Sequence, residues 1–228
     1  MNVTLESLAS VLTPVRHVLL DFDGPVCSVF AGFPAPDVAL ELLRQMPVRT
    51  DAWTGESDPL ALLRRIGDER PDLAAAADDR LSALEVEAVL RARPTVGGAA
   101  FMESCKTSGR RVWMVSNNAT AAITRYLSDQ GLDEYVSGSF GRVHGHPASM
   151  KPSPRLLADA MRAADAKPEE CIFIGDAVRD VEAAHAARMS TIGFANKPGK
   201  AESLTAAGAI AVVTSMETLA RAARMSHS

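Results

Sequence analysis

Cysteine is scarce in this 228-residue sequence: Cys27, Cys105 and Cys171 are odd in number and far apart. They make neither a disulfide framework nor a Cys-x-x-Cys metal knuckle, which points to a reducing compartment. Long apolar runs are missing too. None approaches the ~20 residues that a membrane-spanning helix needs, so no membrane partner is expected. Residues 1–11 carry Glu6 and no lysine or arginine. They therefore have no basic region of the kind that opens a secretory signal. The expectation is a cytoplasmic chain, complete as given. Nor is there an excess of positive charge, since the net charge is −4 with acids and bases mixed along the chain. A nucleic-acid binder shows a basic stripe, so nucleic acid is not an expected partner. No internal repeat or low-complexity tract appears apart from an alanine run at 74–77.

What is present suits a soluble globular protein: 47% hydrophobic and 23% charged residues. The length allows one large domain, or a medium domain carrying an insertion, and buries roughly 70% of the unfolded surface. Five short apolar runs, at 15–20, 112–115, 171–174, 191–194 and 209–213, each end in a polar or glycine cluster. Runs of this length without alternation suit strands buried on both faces of a parallel sheet. Helical patterns at 119–130, 154–165, 180–187 and 200–207 lie between them, which makes βαβ units and an open α/β sheet. In such sheets ligands bind outside the carboxyl ends of the strands, where the polar clusters sit.

Between the first two runs the character changes. Three helical patterns, at 36–46, 58–69 and 71–93, stand there without a convincing strand. Pro94-Thr95-Val96-Gly97-Gly98 then leads back to the sheet. An insertion after the first strand sits above the strand ends, in a position to close over a substrate.

Four polar clusters carry the candidate chemistry. In Asp21-Phe22-Asp23-Gly24 the two acids are two residues apart at a strand end, so both carboxylates face one pocket. Such paired acids bind a cation, share a proton or repel each other. An isolated Asp-x-Asp reads as a solvated loop. Asp176 and Asp180 follow another strand, and several carboxylates at strand ends make the oxygen-rich surroundings that Mg²⁺ prefers. The same two acids also suit a helix N-terminus, and both readings hold together. Ser116, with Asn117 beside it, stands where a hydroxyl and backbone N–H groups hold a phosphate oxygen, or where an ordinary N-cap sits. Lys151 lies in Met150-Lys151-Pro152-Ser153-Pro154, before a helix with Ser153 as expected N-cap and Pro154 in its first position. On that stiff turn it balances a crowd of carboxylates and a phosphate, although alone it reads as a surface lysine. His144-Gly145-His146 has no third imidazole or thiolate near it in sequence and reads as a plain loop. Trp53, Phe30 and Phe33 suit either a cleft lining or an insertion core. The Arg64-Arg65 pair reads as a solvated helix face, with an anionic substrate as the other reading.

With four motifs in this order, each after its proper element, the chain resembles the haloacid dehalogenase-like hydrolases along nearly its whole length. The resemblance implies an α/β, Rossmann-like parallel sheet core at 1–26 and 95–228, with an inserted all-helical C1 cap at 27–94. It implies Asp21 as nucleophile and Asp23 as general acid and base. Ser116 and Lys151 then hold the phosphoryl group, with Gly24 and Asn117 beside them. Asp21, Asp23 (through its backbone carbonyl), Asp176 and Asp180 surround Mg²⁺. The stretch Gly193-Phe194-Ala195-Asn196-Lys197-Pro198 looks like that of phosphoglycolate-phosphatase-like members. Pro25, Val26 and Ala177 depart from the commoner residues of the family, and none of them bears a reacting group.

The implied activity is Mg²⁺-dependent hydrolysis of a small phosphorylated metabolite through an aspartyl-phosphate. The rivals are a catalytically idle binding domain of the same fold, a dehalogenase and a phosphomutase. Dehalogenases do not use a second acid at the Asp23 position. Relatives that cleave carbon–phosphorus bonds need a cap lysine, and mutases typically use a cap lysine or histidine. The interval from Gly24 to Cys105 contains neither, so water is the expected phosphoryl acceptor.

Overall fold

The computed structural model describes residues 4–226. The first three and last two residues of the expected core segments lie outside the described residues. Among the described residues there are eight strands: β1 (His17–Leu20), β2 (Cys27–Ser28), β3 (Arg93–Pro94), β4 (Arg111–Val115), β5 (Val136–Phe140), β6 (Cys171–Gly175), β7 (Ser190–Phe194) and β8 (Ala211–Val213). Six of them form one parallel sheet in the order β5-β4-β1-β6-β7-β8. β1 is central, with Leu19 in register with Trp113 on one side and Phe173 on the other.

Period-two alternation sorts these strands onto two cores. Val18 and Leu20, Val112 and Met114, and Ile172 and Ile174 pack on one face. Leu19, Trp113, Val115 and Phe173 pack on the other. Each face therefore needs apolar cover, which is why the runs read as unbroken hydrophobic stretches.

The helices are α1 (Leu5–Leu12), α2 (Ala35–Gln45), α3 (Asp51–Thr54), α4 (Pro59–Glu69), α5 (Ala74–Val89), α6 (Gly98–Thr107), α7 (Thr120–Asp129), α8 (Arg155–Ala164), α9 (Val178–Ala186), α10 (Lys200–Ala206) and α11 (Met216–Met225). Leu8 and Leu12 of α1, Phe101 of α6, Ile123 of α7 and Leu219 of α11 cover the first face. Leu156, Leu157 and Ala160 of α8 with Ala183 and Ala184 of α9 cover the second. β5, α1, α3, α6 and α11 are additions to the elements expected from the sequence.

The helical insertion has its own core, built from Val38, Leu42, Trp53, Leu62, Ile66 and Leu81. Its third expected helix is shorter than the pattern at 71–93. A 3₁₀ turn at Pro71–Leu73 precedes α5, which stops at Val89. Pro94 forces the preceding Arg93 towards extended backbone, and Arg93 and Pro94 pair antiparallel with Ser28 and Cys27. That small ribbon is a strand where none was expected, and it joins the insertion to the sheet layer. Ser153 and Pro154 also shift by one: α8 starts at Arg155, Pro154 is the residue before it, and Ser153 Oγ accepts from Arg155 N–H at 3.3 Å.

Candidate active site

β1 lies between β4 and β6, so the chain order reverses around it, and the carboxyl ends of these three strands converge there. Asp21 follows β1 directly, its N–H bonded to Ile174 carbonyl at 2.9 Å. Phe22 turns away into the core against Tyr126, with ring centroids 5.4 Å apart. Asp23 therefore comes back to the side of Asp21, and Val29 N–H donates to its Oδ1 at 3.0 Å. Gly24 has φ +112°, and a Cβ there would lie 2.6 Å from Asp176 Cγ. Only glycine fits both the conformation and the space. Ser116 continues β4, its N–H bonded to Phe140 carbonyl at 3.0 Å. Gly175 ends β6, where a Cβ would lie 2.5 Å from Asp180 Oδ2.

Lys151 is the positive centre of this group. It is 1% exposed, and its Nζ lies 2.9 Å from Asp21 Oδ1, 2.8 Å from Asp180 Oδ1 and 3.1 Å from Val115 carbonyl. Burial opposes its charge, but Asp180 and Asp21 outweigh that and raise its pKa. Asn117 sets its backbone: Asn117 Oδ1 accepts from Lys151 N–H at 2.7 Å, and Asn117 Nδ2 donates to Lys151 carbonyl at 3.1 Å. The Asn117 side chain is thus engaged with Lys151. Ser116 Oγ bonds to Asn118, donating to its Oδ1 at 3.1 Å.

One oxygen each of Asp21, Asp176 and Asp180 lie within 4.8 Å of one another. Three carboxylates gathered in this way are a hard, oxygen-only donor set, which fits Mg²⁺. The Asp23 side chain is outside that trio. Asp180 is the most committed member, since its Oδ2 accepts from the N–H groups of Asp176 and Ala177, each at 3.0 Å. Lys151 holds the Asp180 pKa down against its burial. Asp176 Oδ2 accepts from Asn196 Nδ2 at 2.9 Å and from the Lys200 ammonium.

Burial raises Asp21 to about 7, and the neighbouring Asp180 and Asp176 add to the effect against the pull of Lys151. Burial also raises Asp23 to about 6, with Asp176 adding and Val29 N–H opposing. Asp21 is raised further than Asp23, so it is ionised near neutral pH only with more positive charge beside it than Lys151 alone supplies.

Other candidates fall elsewhere. Trp53 is buried in the insertion's own core, where its Nε1 donates to Glu69 Oε2 at 2.7 Å. Phe30 and Phe33 pack against both the insertion core and the sheet core. His144 Nε2 lies 2.8 Å from Asp79 Oδ1 on the surface. Arg65 bonds within the insertion, to Glu56 and to Ala52 carbonyl. Arg64 does not sit on a solvated face. Its guanidinium donates to Lys151 carbonyl, because α4 packs closely on the 147–151 turn. Gly67 marks that contact, where a Cβ would meet Pro147 Cγ at 2.4 Å.

From sequence, Arg179 and Lys200 carry no site reading, Asn196 stands only within the resemblance at 193–198, and Arg64 has an anionic substrate only as its second reading. Lys200 and Asn196 follow β7 at its carboxyl end, and the placement rule that found Asp176 applies equally to them. Arg179 stands between Asp176 and Asp180 in the first turn of α9. Arg179 and Arg64 repel one another across the boundary between insertion and core. Among the described residues neither is within ion-pair distance of a carboxylate.

Residues 15–188 match the family model for the haloacid dehalogenase-like hydrolases. Phosphoglycolate phosphatase 1 of Pseudomonas aeruginosa is 26% identical over 192 residues, covering 75% of this chain and 66% of that protein. A phosphoglycolate phosphatase of Colwellia psychrerythraea is 31% identical over 91 residues, 40% of this chain and 39% of its own. The chain thus spans less than two thirds of either curated relative. Among solved structures, a predicted phosphatase from Clostridium acetobutylicum shares the fold, with a TM-score of 0.71 and 20% identity over 90% of this chain and 96% of that one.

Proposed function

The chain belongs to the haloacid dehalogenase-like hydrolases, and from that premise we propose that it is a Mg²⁺-dependent phosphatase of small phosphomonoesters with Asp21 as nucleophile. The observation that carries this reading is the buried Lys151 ammonium bridging Asp21 and Asp180 beside Asp176. In this reading residues 27–94 are the cap and residues 1–26 with 95–228 the core.

Asp21 and Asp176 would hold Mg²⁺ with Asp180 behind them. The ion supplies charge that keeps Asp21 ionised and offsets the negative phosphoryl oxygens. Lys151 adds to that balance from the protein side, and Ser116 with the following backbone N–H groups binds a phosphoryl oxygen. An Asp21 oxygen attacks phosphorus in line as the ester P–O bond breaks. The departing alkoxide takes its proton from Asp23, which leaves an aspartyl-phosphate on Asp21. Water then attacks the same phosphorus, gives its proton to Asp23, and restores the Asp21 carboxylate as inorganic phosphate departs. Asp23, raised to about 6, suits both halves of that cycle. Most of the rate comes from positioning and charge balance rather than from new covalent chemistry.

Arg64 and Arg179, free of carboxylate partners among the described residues, suit a substrate with a second negative charge. 2-Phosphoglycolate, the ester named for the curated relatives, is therefore the first substrate to test. The assay measures inorganic phosphate released from 2-phosphoglycolate, an aryl phosphate with no charge beyond its phosphate, and sugar and nucleotide phosphates, with Mg²⁺ and with chelator. Mg²⁺-dependent release is expected. No release from any member points to an idle binding domain. Hexose 1-phosphate and 6-phosphate interconverting faster than phosphate appears points to a mutase.

A further inference from the structure

A second buried group of charges lies where the insertion meets the core, and the reaction above makes no use of it. Arg142, just after β5, is 5% exposed, while Asp78 and Glu85 on α5 are 1% and 0% exposed. The two acids are seven residues apart, two helical turns, and so share one face of α5. Arg142 Nε donates to Asp78 Oδ1 at 2.6 Å and a terminal nitrogen donates to Glu85 Oε2 at 2.6 Å. Its other terminal nitrogen donates to Ser82 Oγ at 2.9 Å.

Glu85 reaches one step further than Asp78. Its Oε1 accepts from Asn118 Nδ2 at 3.0 Å and its Oε2 from Ala119 N–H at 2.9 Å. Asn118 in turn bonds Ser116 Oγ. Asp78 Oδ2 accepts instead from Gly145 N–H at 2.9 Å, on a different loop.

The start of α7 explains what Glu85 does there. Ala119 is its N-cap residue and makes no side-chain cap; alanine is among the poorest residues for that position. In a capping box the N-cap N–H is taken by a Glu or Gln three residues on, but Ala122 stands at that position. Glu85 delivers the missing carboxylate from the insertion. A buried ion group of this kind is a weak source of net stability, because apolar packing serves as well.

We propose that Glu85 is a positioning residue that holds the Ser116–Asn118 loop in its phosphate-binding shape, so that this loop is complete only while α5 is docked on the core. The proposal rests on the phosphatase reading for its effect on phosphate, but not for its effect on the loop.

The test compares Glu85→Gln with Asp78→Asn, two neutralisations of the same buried Arg142 partnership. Both variants are expected to lower Tm. Only Glu85→Gln is expected to speed amide hydrogen exchange at residues 116–119 and to weaken inhibition by inorganic phosphate, by about tenfold for a lost charged hydrogen bond. Asp78→Asn is expected to stay within about twofold of the parent. Should Glu85→Gln fail to fold, Glu85→Asp keeps the charge beside Arg142 with a shorter reach and is read in the same way. Equal exchange at 116–119 in all three proteins, or equal loss of phosphate inhibition in both variants, overturns the positioning role. A parent with altered-loop variants but no phosphatase activity upholds the positioning role and overturns only the functional reading.

Discussion

At the strand ends, Asp21, Asp23 and Asp176 each keep one carboxylate oxygen without a hydrogen-bond donor among the described residues, whereas under the insertion all four oxygens of Asp78 and Glu85 are bonded. Both groups are acid-rich and shielded from water, yet they stand in different chemical positions. Around Arg142, geometry already supplies every partner, and nothing further is needed to keep the charges buried. Around Lys151, the carboxyls of Asp21 and Asp23 are pushed upward to about 7 and about 6. A buried acid in that condition gains from a proton, a cation or both. The contrast separates charges fully partnered within the chain from charges that keep an oxygen for a ligand.

The largest effect that this contrast predicts is at Asp21. Asp21→Asn is nearly isosteric, so it should fold while losing at least about 10³-fold in kcat, as expected for a removed nucleophile. Comparable turnover in the purified variant would place Asp21 among the structural charges. Asp23→Asn should slow kcat by about 10²–10⁴-fold, the range for a general acid–base group, with phosphoenzyme accumulating because its hydrolysis stalls. A variant turning over at the parent rate would move the proton carrier elsewhere.

A smaller effect should appear in stability against pH. Asp21 and Asp23 titrate higher in the folded chain than the ordinary aspartate value. Between about pH 4 and about pH 7 the folded chain therefore holds more protons than the unfolded one, and stability falls as pH rises through that window. Metal-free protein should lose Tm from about pH 4 to about pH 7 more steeply than Asp21→Asn does. If these carboxylates hold Mg²⁺ as proposed, the ion should raise Tm more at the upper pH than at the lower. A Mg²⁺ effect independent of pH would contradict the carboxylate assignment. The smallest effect belongs to the insertion core. Trp53→Phe loses the bond to Glu69 and should cost about 1 kcal/mol, with kcat on a small ester unchanged.

How much of this was readable beforehand follows the same division. β1, β4, β6 and β7 are buried on both faces over nearly their whole length and announce themselves as apolar runs. β5, Val-Ser-Gly-Ser-Phe, is an edge strand of partly exposed residues and carries no such run. α6 begins at the second of two glycines that read as a break, and α11 buries several alanines that give little apolar contrast. The site acids were readable because strand ends and close spacing bring Asp21 near Asp23 and Asp176 near Asp180. Glu85 and Arg142 are 57 residues apart, and Arg64 lies 87 from Lys151. Only the docking of the insertion brings each pair together, and no local spacing encodes it.

The most direct measurement traps the covalent intermediate. Asp23→Asn protein is incubated with Mg²⁺ and 2-phosphoglycolate, or with whichever ester the parent hydrolyses, then quenched with borohydride and read by peptide mass spectrometry. Borohydride reduces an acyl phosphate to an alcohol, so an aspartyl-phosphate at position 21 should appear as homoserine in that peptide alone. An unmodified Asp21, or reduction at another carboxylate while the parent turns over the same ester, would contradict Asp21 as the nucleophile.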